Sequence, residues 1–135
     1  MSDGFKLRLR ESLGDWFKGC HEEIVNAELQ MAQPLSDDPA ILVRQLTEIE
    51  AMFERMNSMY ADAQSYYYQA KRNALKKRGP DWTDLDRDVQ MRAEIVVEQR
   101  LLTKMEGMVE SIKNRLILGM SLRKSHVAER SDNRT

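Results

Sequence analysis

A heptad stripe of apolar residues runs through residues 39–77 and constrains the fold more than any other feature of the chain. Apolar side chains recur there at alternating gaps of four and three residues: Leu42, Leu46, Ile49, Phe53, Met56, Tyr60, Ala63, Tyr67, Ala70 and Ala74. An α-helix presents such positions on one narrow face, so the stripe predicts a long helix that buries this face against other helices. The spacing specifies an architecture and says little about chemistry.

Two further helices are predicted on either side of this one. Residues 11–32 carry a stripe with the same gaps: Leu13, Phe17, Cys20, Ile24, Ala27 and Met31. Residues 83–124 carry a third: Met91, Ile95, Glu98, Leu102, Met105, Val109, Ile112 and Leu116. The three prolines fall at or beside the connections, where proline stops or starts a helix. We therefore expect helices over about 11–32, 39–78 and 83–124.

The lengths of these helices predict how they pack. Two long helices joined by a short turn are expected to fold back antiparallel. We predict an all-α fold: a long, coiled-coil-like antiparallel helical hairpin with the shorter N-terminal helix packed along it, forming a three-helix bundle. A chain of 135 residues suits one domain, expected over residues 1–125. Residues 126–135 are mostly polar and lack a period, so we expect a flexible C-terminal tail.

Composition argues against several classes of function. The formal net charge of −1 provides no global field that would attract the protein to nucleic acid or to an anionic membrane. One cysteine cannot form an intramolecular disulfide, which favours a reducing compartment. No stretch approaches the roughly 20 apolar residues of a membrane span, and the first residues lack the pattern of a signal peptide. The expected location is the cytoplasm.

Motifs for catalysis, metal binding and phosphate binding are missing from the sequence. It contains no His-Glu-x-x-His, Cys-x-x-Cys, Glu-x-x-His or Gly-x-Ser-x-Gly pattern, and neither of the common glycine-rich phosphate loops. We predict no catalytic residue, no metal site and no cofactor, and we interpret Cys20 as a buried structural thiol. The protein is expected not to be an enzyme.

Glu98 is the one charged residue on the third stripe. A polar residue in a seam often fixes helix register, so we predict that Glu98 pairs with a tyrosine or arginine across the seam. The alternative interpretation is a buried acid with a functional role.

Apolar flanks near the second turn favour self-association, as a homodimer or a higher oligomer. The residues predicted to anchor a protein partner there are Tyr66, Tyr68, Leu75 and Trp82. Two basic groups are candidate nucleic-acid contacts: Lys71, Arg72, Lys76, Lys77 and Arg78 near the turn, and Lys113, Arg115, Arg123 and Lys124 further on. Basic residues interleaved with aromatics suit single-stranded nucleic acid, whereas cations at a helix C-terminus also simply complement its dipole.

The leading hypothesis is a non-catalytic helical interaction module, an adaptor, assembly factor or inhibitor that binds itself and another protein. The alternative is a nucleic-acid-binding accessory protein that assists recombination or replication. In overall style the chain resembles small helical accessory proteins encoded by bacterial viruses and mobile elements.

Overall fold

The computed structural model describes residues 12–77 and 83–133, with side chains through residue 129 in the last helix. Within these ranges the chain forms four helices and no strand. The helices are α1 (Leu13–Ala32), α2 (Pro39–Lys76), α3 (Asp84–Glu94) and α4 (Val96–Asn133). The predicted all-α class is confirmed.

Side chains at the helix starts explain where α2 and α3 begin. The carboxylate of Asp38 accepts a hydrogen bond from the Ala40 amide at 2.9 Å, and proline occupies the first helical position of α2. At α3, the Thr83 hydroxyl accepts from the Asp86 amide at 3.1 Å, and the Asp86 carboxylate accepts from the Thr83 amide at 3.1 Å. This reciprocal capping box satisfies amides that the helix itself leaves unpaired.

The single helix predicted over 83–124 is wrong, because the structure interrupts it at Ile95. This residue has φ −102° and ψ 14°, outside the helical region, while it is 2% exposed. Hydrogen bonds of the helical type continue on both sides, from Ile95 N to Met91 O at 3.1 Å and from Gln99 N to Ile95 O at 2.9 Å. Ile95 opens a run of three β-branched residues, which have low helix propensity and weaken the helix at this point.

The predicted end of the last helix also differs from the structure. Residues 126–135 were expected to form a flexible tail, whereas α4 continues through Asn133. The sequence after residue 119 contains neither glycine nor proline, so it carries no signal that ends a helix.

The core is shared by α1, α2 and α4, whereas α3 contributes no buried residue. Its largest cluster consists of Trp16, Cys20, Ile24, Ala27, Ile49, Met52, Met56, Met59, Ala63, Tyr66, Leu101, Met105, Met108 and Ile112. Burial of Cys20, at 7% exposed, agrees with the predicted structural thiol.

The buried stripe of α2 is rotated relative to the predicted one. Met52, Met59 and Tyr66 are buried, although the heptad count chose the next residue along in each case. Those next residues, at 53, 60 and 67, are only partly buried. On this side of α2 the ring of Tyr66 lies 5.7 Å from that of Trp16 in α1, so α1 extends the core in the direction of the rotation.

Gly119 marks a close approach between α4 and the beginning of α2. A Cβ atom at position 119 would lie 3.5 Å from Cγ of Leu46 and closer still to its Cδ2, whereas a Cβ at Gly107 would have no neighbour within 4 Å. Gly119→Leu is therefore expected to lower the free energy of unfolding by about 1–3 kcal/mol through overpacking. The matched variant Gly107→Leu should raise it by about 0.5–1 kcal/mol, because leucine favours helix more than glycine does. Urea denaturation of both variants checks this, and equal effects at the two sites would contradict it.

Candidate interaction surfaces

Helix α3 displays apolar side chains to solvent. Leu85 is 71% exposed and Val89 is 59% exposed, and these two residues lie one turn apart on the same face. Val96, the first residue of α4, is 37% exposed just after the interruption at Ile95. We call Leu85, Val89 and Val96 the α3 surface. Sequence analysis did not single out Leu85 and Val89, although two apolar residues one turn apart in a highly charged segment are a recognisable signal.

Two of the four predicted partner anchors are exposed. Tyr68 is 62% exposed and Leu75 is 42% exposed, and their separation of seven residues places them on one side of α2. Tyr66 is not an exposed anchor, because it is 8% exposed and its ring lies 5.7 Å from that of Trp16. Trp82 lies outside the described residues.

Polar contacts fix α1 along one side of α2. Arg55 donates two hydrogen bonds to the carboxylate of Glu23, at 2.5 and 3.2 Å, and these raise the pKa of Arg55 above its ordinary value. Gln30 donates to Glu48 at 2.9 Å. Positions 48, 55 and 62 of α2 are one heptad apart, and Asp62 accepts a hydrogen bond from α1 as well. This polar heptad identifies the side of α2 that α1 occupies.

An apolar groove lies between the beginning of α1 and the beginning of α4. Its apolar lining comes from Leu13 and Phe17 on one side and from Val97 and Leu101 on the other. Further along, the Lys104 ammonium group lies 3.4 Å from the carboxylate of Glu28. The groove and this ion pair identify the side of α4 that faces α1.

The side of α2 and α4 away from α1 carries a further row of apolar side chains, at the edge of the core. On α2, Phe53 and Tyr60 lie two positions before residues 55 and 62 of the polar heptad, and Tyr67 lies two positions before residue 69, the next position of that heptad. Two positions separate side chains by about 160° around a helix, so these residues lie nearly opposite the polar heptad. On α4, Leu102 likewise lies two positions before Lys104, which is on the side that faces α1. We call this set the open face, and its members are all partly buried: Phe53, Tyr60, Tyr67, Leu102, Val109 and Leu116.

Glu98 lies on the α4 edge of the open face, one turn before Leu102. Its Oε2 atom is buried and has no hydrogen-bond partner among the residues that the structure describes. The tyrosine or arginine partner predicted for this side chain is therefore not found for that oxygen. A buried carboxylate oxygen without a donor costs stability unless a donor is supplied from elsewhere.

The two predicted basic groups are partly engaged within the chain. The Lys77 ammonium group lies 3.6 Å from the carboxylate of Glu94, and the guanidinium group of Arg115 donates a hydrogen bond to the carbonyl oxygen of Gln33. Arg78 lies outside the described residues. The other members are exposed or partly buried: Lys71, Arg72, Lys76, Lys113, Arg123 and Lys124. The structure thus gives Arg115 a role in tying α4 to the loop after α1.

Among the described side chains, over residues 12–77 and 83–129, no group of three or more His, Cys, Asp or Glu residues is arranged to hold a metal ion. In the same part of the chain, none of the helices combines the length and the apolar character that crossing a bilayer requires. In comparisons with known proteins, no protein family, no curated protein and no solved structure matches this chain.

Proposed function

We propose that the protein is a non-catalytic helical interaction module, an adaptor, assembly factor or inhibitor that associates with itself and presents a helix face to a partner protein. In the proposed architecture α2 and α4 form a long antiparallel hairpin with α1 packed along it. The contact of Leu46 with the Gly119 position supports this pairing at one end. At the other end, Lys77 approaches Glu94, the last residue of α3, two positions before α4 begins.

The observation that carries the proposed function is the α3 surface. An amphipathic helix normally turns its apolar side chains toward the core, whereas Leu85 and Val89 of α3 point to solvent at 71% and 59% exposure. A helix with apolar residues one turn apart on an outward face is what a hydrophobic groove of another protein binds. Covering these side chains would remove apolar surface from water, at about 25 cal/mol per Å².

Charged residues frame the α3 surface and limit what it binds. Arg87 pairs with Asp84 at 3.0 Å, and Arg92 pairs with Asp88 at 3.1 Å, so both arginines are neutralised along α3 itself. An apolar stripe between neutral ion pairs suits a partner with an apolar groove and a mixed-charge rim. It does not favour a strongly charged partner.

A copurification experiment tests the α3 surface. The full tagged chain is incubated with an extract of the organism that encodes it, and bound proteins are quantified by mass spectrometry. Leu85→Glu combined with Val89→Glu should reduce recovery of the partner at least about tenfold, because buried apolar anchors carry most binding energy. Leu29→Glu is the matched control, since Leu29 is a comparably exposed leucine, at 60%, on α1.

Two outcomes would contradict this assignment. Equal recovery with the α3 variant and the control would remove α3 as the binding surface. Recovery of nucleic acid that is lost with Arg72→Glu and Lys76→Glu would replace the proposal with the alternative of an accessory protein for recombination or replication.

A further inference from the structure

We propose that the open face binds a second copy of this chain in antiparallel orientation, about a two-fold axis that crosses α2 at Tyr60 and α4 just past Met105. The inference rests on the proposed self-association and on the hairpin pairing of α2 with α4, and it identifies the face, the partner and the orientation.

The open face has the residue spacing of a helix interface. Phe53, Tyr60 and Tyr67 belong to the heptad stripe of α2, yet they lie at the edge of the core and are only partly buried. Leu102 and Val109 line the matching edge of α4 and pack against the same core. When a heptad stripe is buried along only one edge, the other edge is available to pack against a further helix.

When two copies of α2 are docked antiparallel through the open face, the side chains of one copy match those of the other. Reading outward from Tyr60, Phe53 lies seven residues before and Tyr67 lies seven residues after. In an antiparallel pair centred on Tyr60, the phenyl ring of Phe53 therefore faces the ring of Tyr67 in the second copy. Asn57 and Gln64, which lie between them, face each other in the same way. Aromatic and amide pairs of this kind are favourable across a helix interface.

The charges at the two ends of this stripe fix the orientation. Glu50 precedes Phe53 by one turn and Lys71 follows Tyr67 by one turn. Antiparallel docking brings Glu50 of each copy to Lys71 of the other, making two opposite-charge pairs. Parallel docking would place Glu50 against Glu50 and Lys71 against Lys71, so the charge pattern disfavours it.

Helix α4 independently places the axis at the same level. The contact of Leu46 with position 119 sets the register of α2 against α4. Tyr60 lies fourteen residues after Leu46, and Met105 lies fourteen residues before Gly119. In an antiparallel pair of helices, Tyr60 and Met105 are therefore at the same level. A single two-fold axis that lies in the interface and crosses both helices must meet them at one level.

The open-face residues of α4 are symmetric about that level. Leu102 and Val109 are equidistant from a point just past Met105, and so are Glu98 and Lys113. Antiparallel docking therefore brings Glu98 of one copy to Lys113 of the other. An ammonium group then lies beside the Glu98 carboxylate, whose buried Oε2 atom has no donor among the described residues of its own chain. Lys113 is exposed and available for this contact.

A charge exchange on α2 tests the pairing, with sedimentation equilibrium of the full chain as the readout. Glu50→Lys alone and Lys71→Glu alone should each raise the dimer dissociation constant about tenfold, because two-fold symmetry turns two attractive pairs into two repulsive ones. The double variant Glu50→Lys with Lys71→Glu should return the constant to within about threefold of the wild-type value. Glu22→Lys, an equal charge change at an exposed site on α1, is the control and should leave it unchanged.

Disulfide trapping tests the position of the axis. In a Cys20→Ala background, Tyr60→Cys should form a disulfide-linked dimer under mild oxidation, because the axis brings the two copies of residue 60 together. Glu22→Cys in the same background is the control and should not.

Three results would overturn the inference. In the first, the double variant does not restore the dissociation constant of the dimer. In the second, the disulfide-linked dimer forms no faster through Cys at position 60 than through Cys at position 22. In either case self-association stands and only the assigned face is lost. A chain that remains monomeric at high concentration overturns the inference too, while the copurification on α3 decides separately whether the protein binds a partner.

Discussion

Trp16→Ala is expected to lower the free energy of unfolding by about 3–5 kcal/mol, as complete truncation of a buried aromatic side chain does. Trp16 is 5% exposed. Its ring lies 5.7 Å from that of Tyr66, and its Nε1 atom donates a hydrogen bond to Asp62 at 3.2 Å. Alanine would leave a large cavity between α1 and α2, and it would remove the donor from the Asp62 carboxylate.

The consequence should be concentrated in α1. The ion pairs of this helix, Glu23 with Arg55 and Glu28 with Lys104, join side chains that are roughly half exposed. Exposed ion pairs of this kind contribute little to stability, so Trp16 is the main anchor of the first half of α1. Hydrogen exchange should therefore accelerate in α1 of the alanine variant before it does so in α4.

Trp16→Phe separates the two contributions of the indole ring. Phenylalanine keeps most of the apolar contact with Tyr66 and removes only the hydrogen bond to Asp62, so a loss nearer 1 kcal/mol is expected. Thermal and urea denaturation, followed by circular dichroism, measure both variants. An alanine variant within 1 kcal/mol of the wild type would show that α1 is held by something other than this ring.

The heptad stripe of α2 shows how far sequence alone leads. The stripe correctly identified Leu42, Met56 and Ala63 as buried, because these positions face the core however the third helix is placed. The stripe also predicted that Phe53 is buried, whereas its neighbour Met52 is the more deeply buried residue. A heptad count assumes a narrow seam between two helices, and α1 widens that seam on one side by contacts that no local pattern specifies.

The tyrosines at the end of α2 make the same point at the candidate site. Tyr66, Tyr67 and Tyr68 are identical side chains in consecutive positions, and they differ only in their direction around the helix. Tyr66 is buried by Trp16, Tyr67 lies on the open face, and Tyr68 is 62% exposed. Their different environments depend on a residue fifty positions earlier in the chain. Sequence reasoning named Tyr66 and Tyr68 together because it had no means of separating them.

Other differences had a local signal. The run of β-branched residues at Ile95 marks the interruption of the helix, and the lack of a glycine or proline after position 119 marks the extension of α4. The exposed leucine and valine of α3 were visible as two apolar residues in a charged segment. Their orientation toward solvent was not predictable, because a helix start rich in aspartate is compatible with either face being buried.

Ile112→Ala is expected to lower the free energy of unfolding by about 2–5 kcal/mol. Ile112 is fully buried, at 0% exposed, in the cluster shared by α1, α2 and α4. Truncating it removes apolar contacts to the core and leaves a cavity that rigid neighbouring helices cannot fill. Urea denaturation at fixed protein concentration measures the change, and the concentration must be fixed because self-association contributes to the apparent stability.

Ile117→Ala supplies the matched control on the same helix. Ile117 is 54% exposed, and the replacement makes the same change in side-chain volume and helix propensity. The difference between the two variants therefore isolates burial, and Ile117→Ala should change the free energy of unfolding by less than about 0.5 kcal/mol. Equal losses at the two positions would mean that position 117 is also covered in solution. The exposed side of α4 would then be a contact surface in its own right, and the assembly would bury more of this helix than the open face alone accounts for.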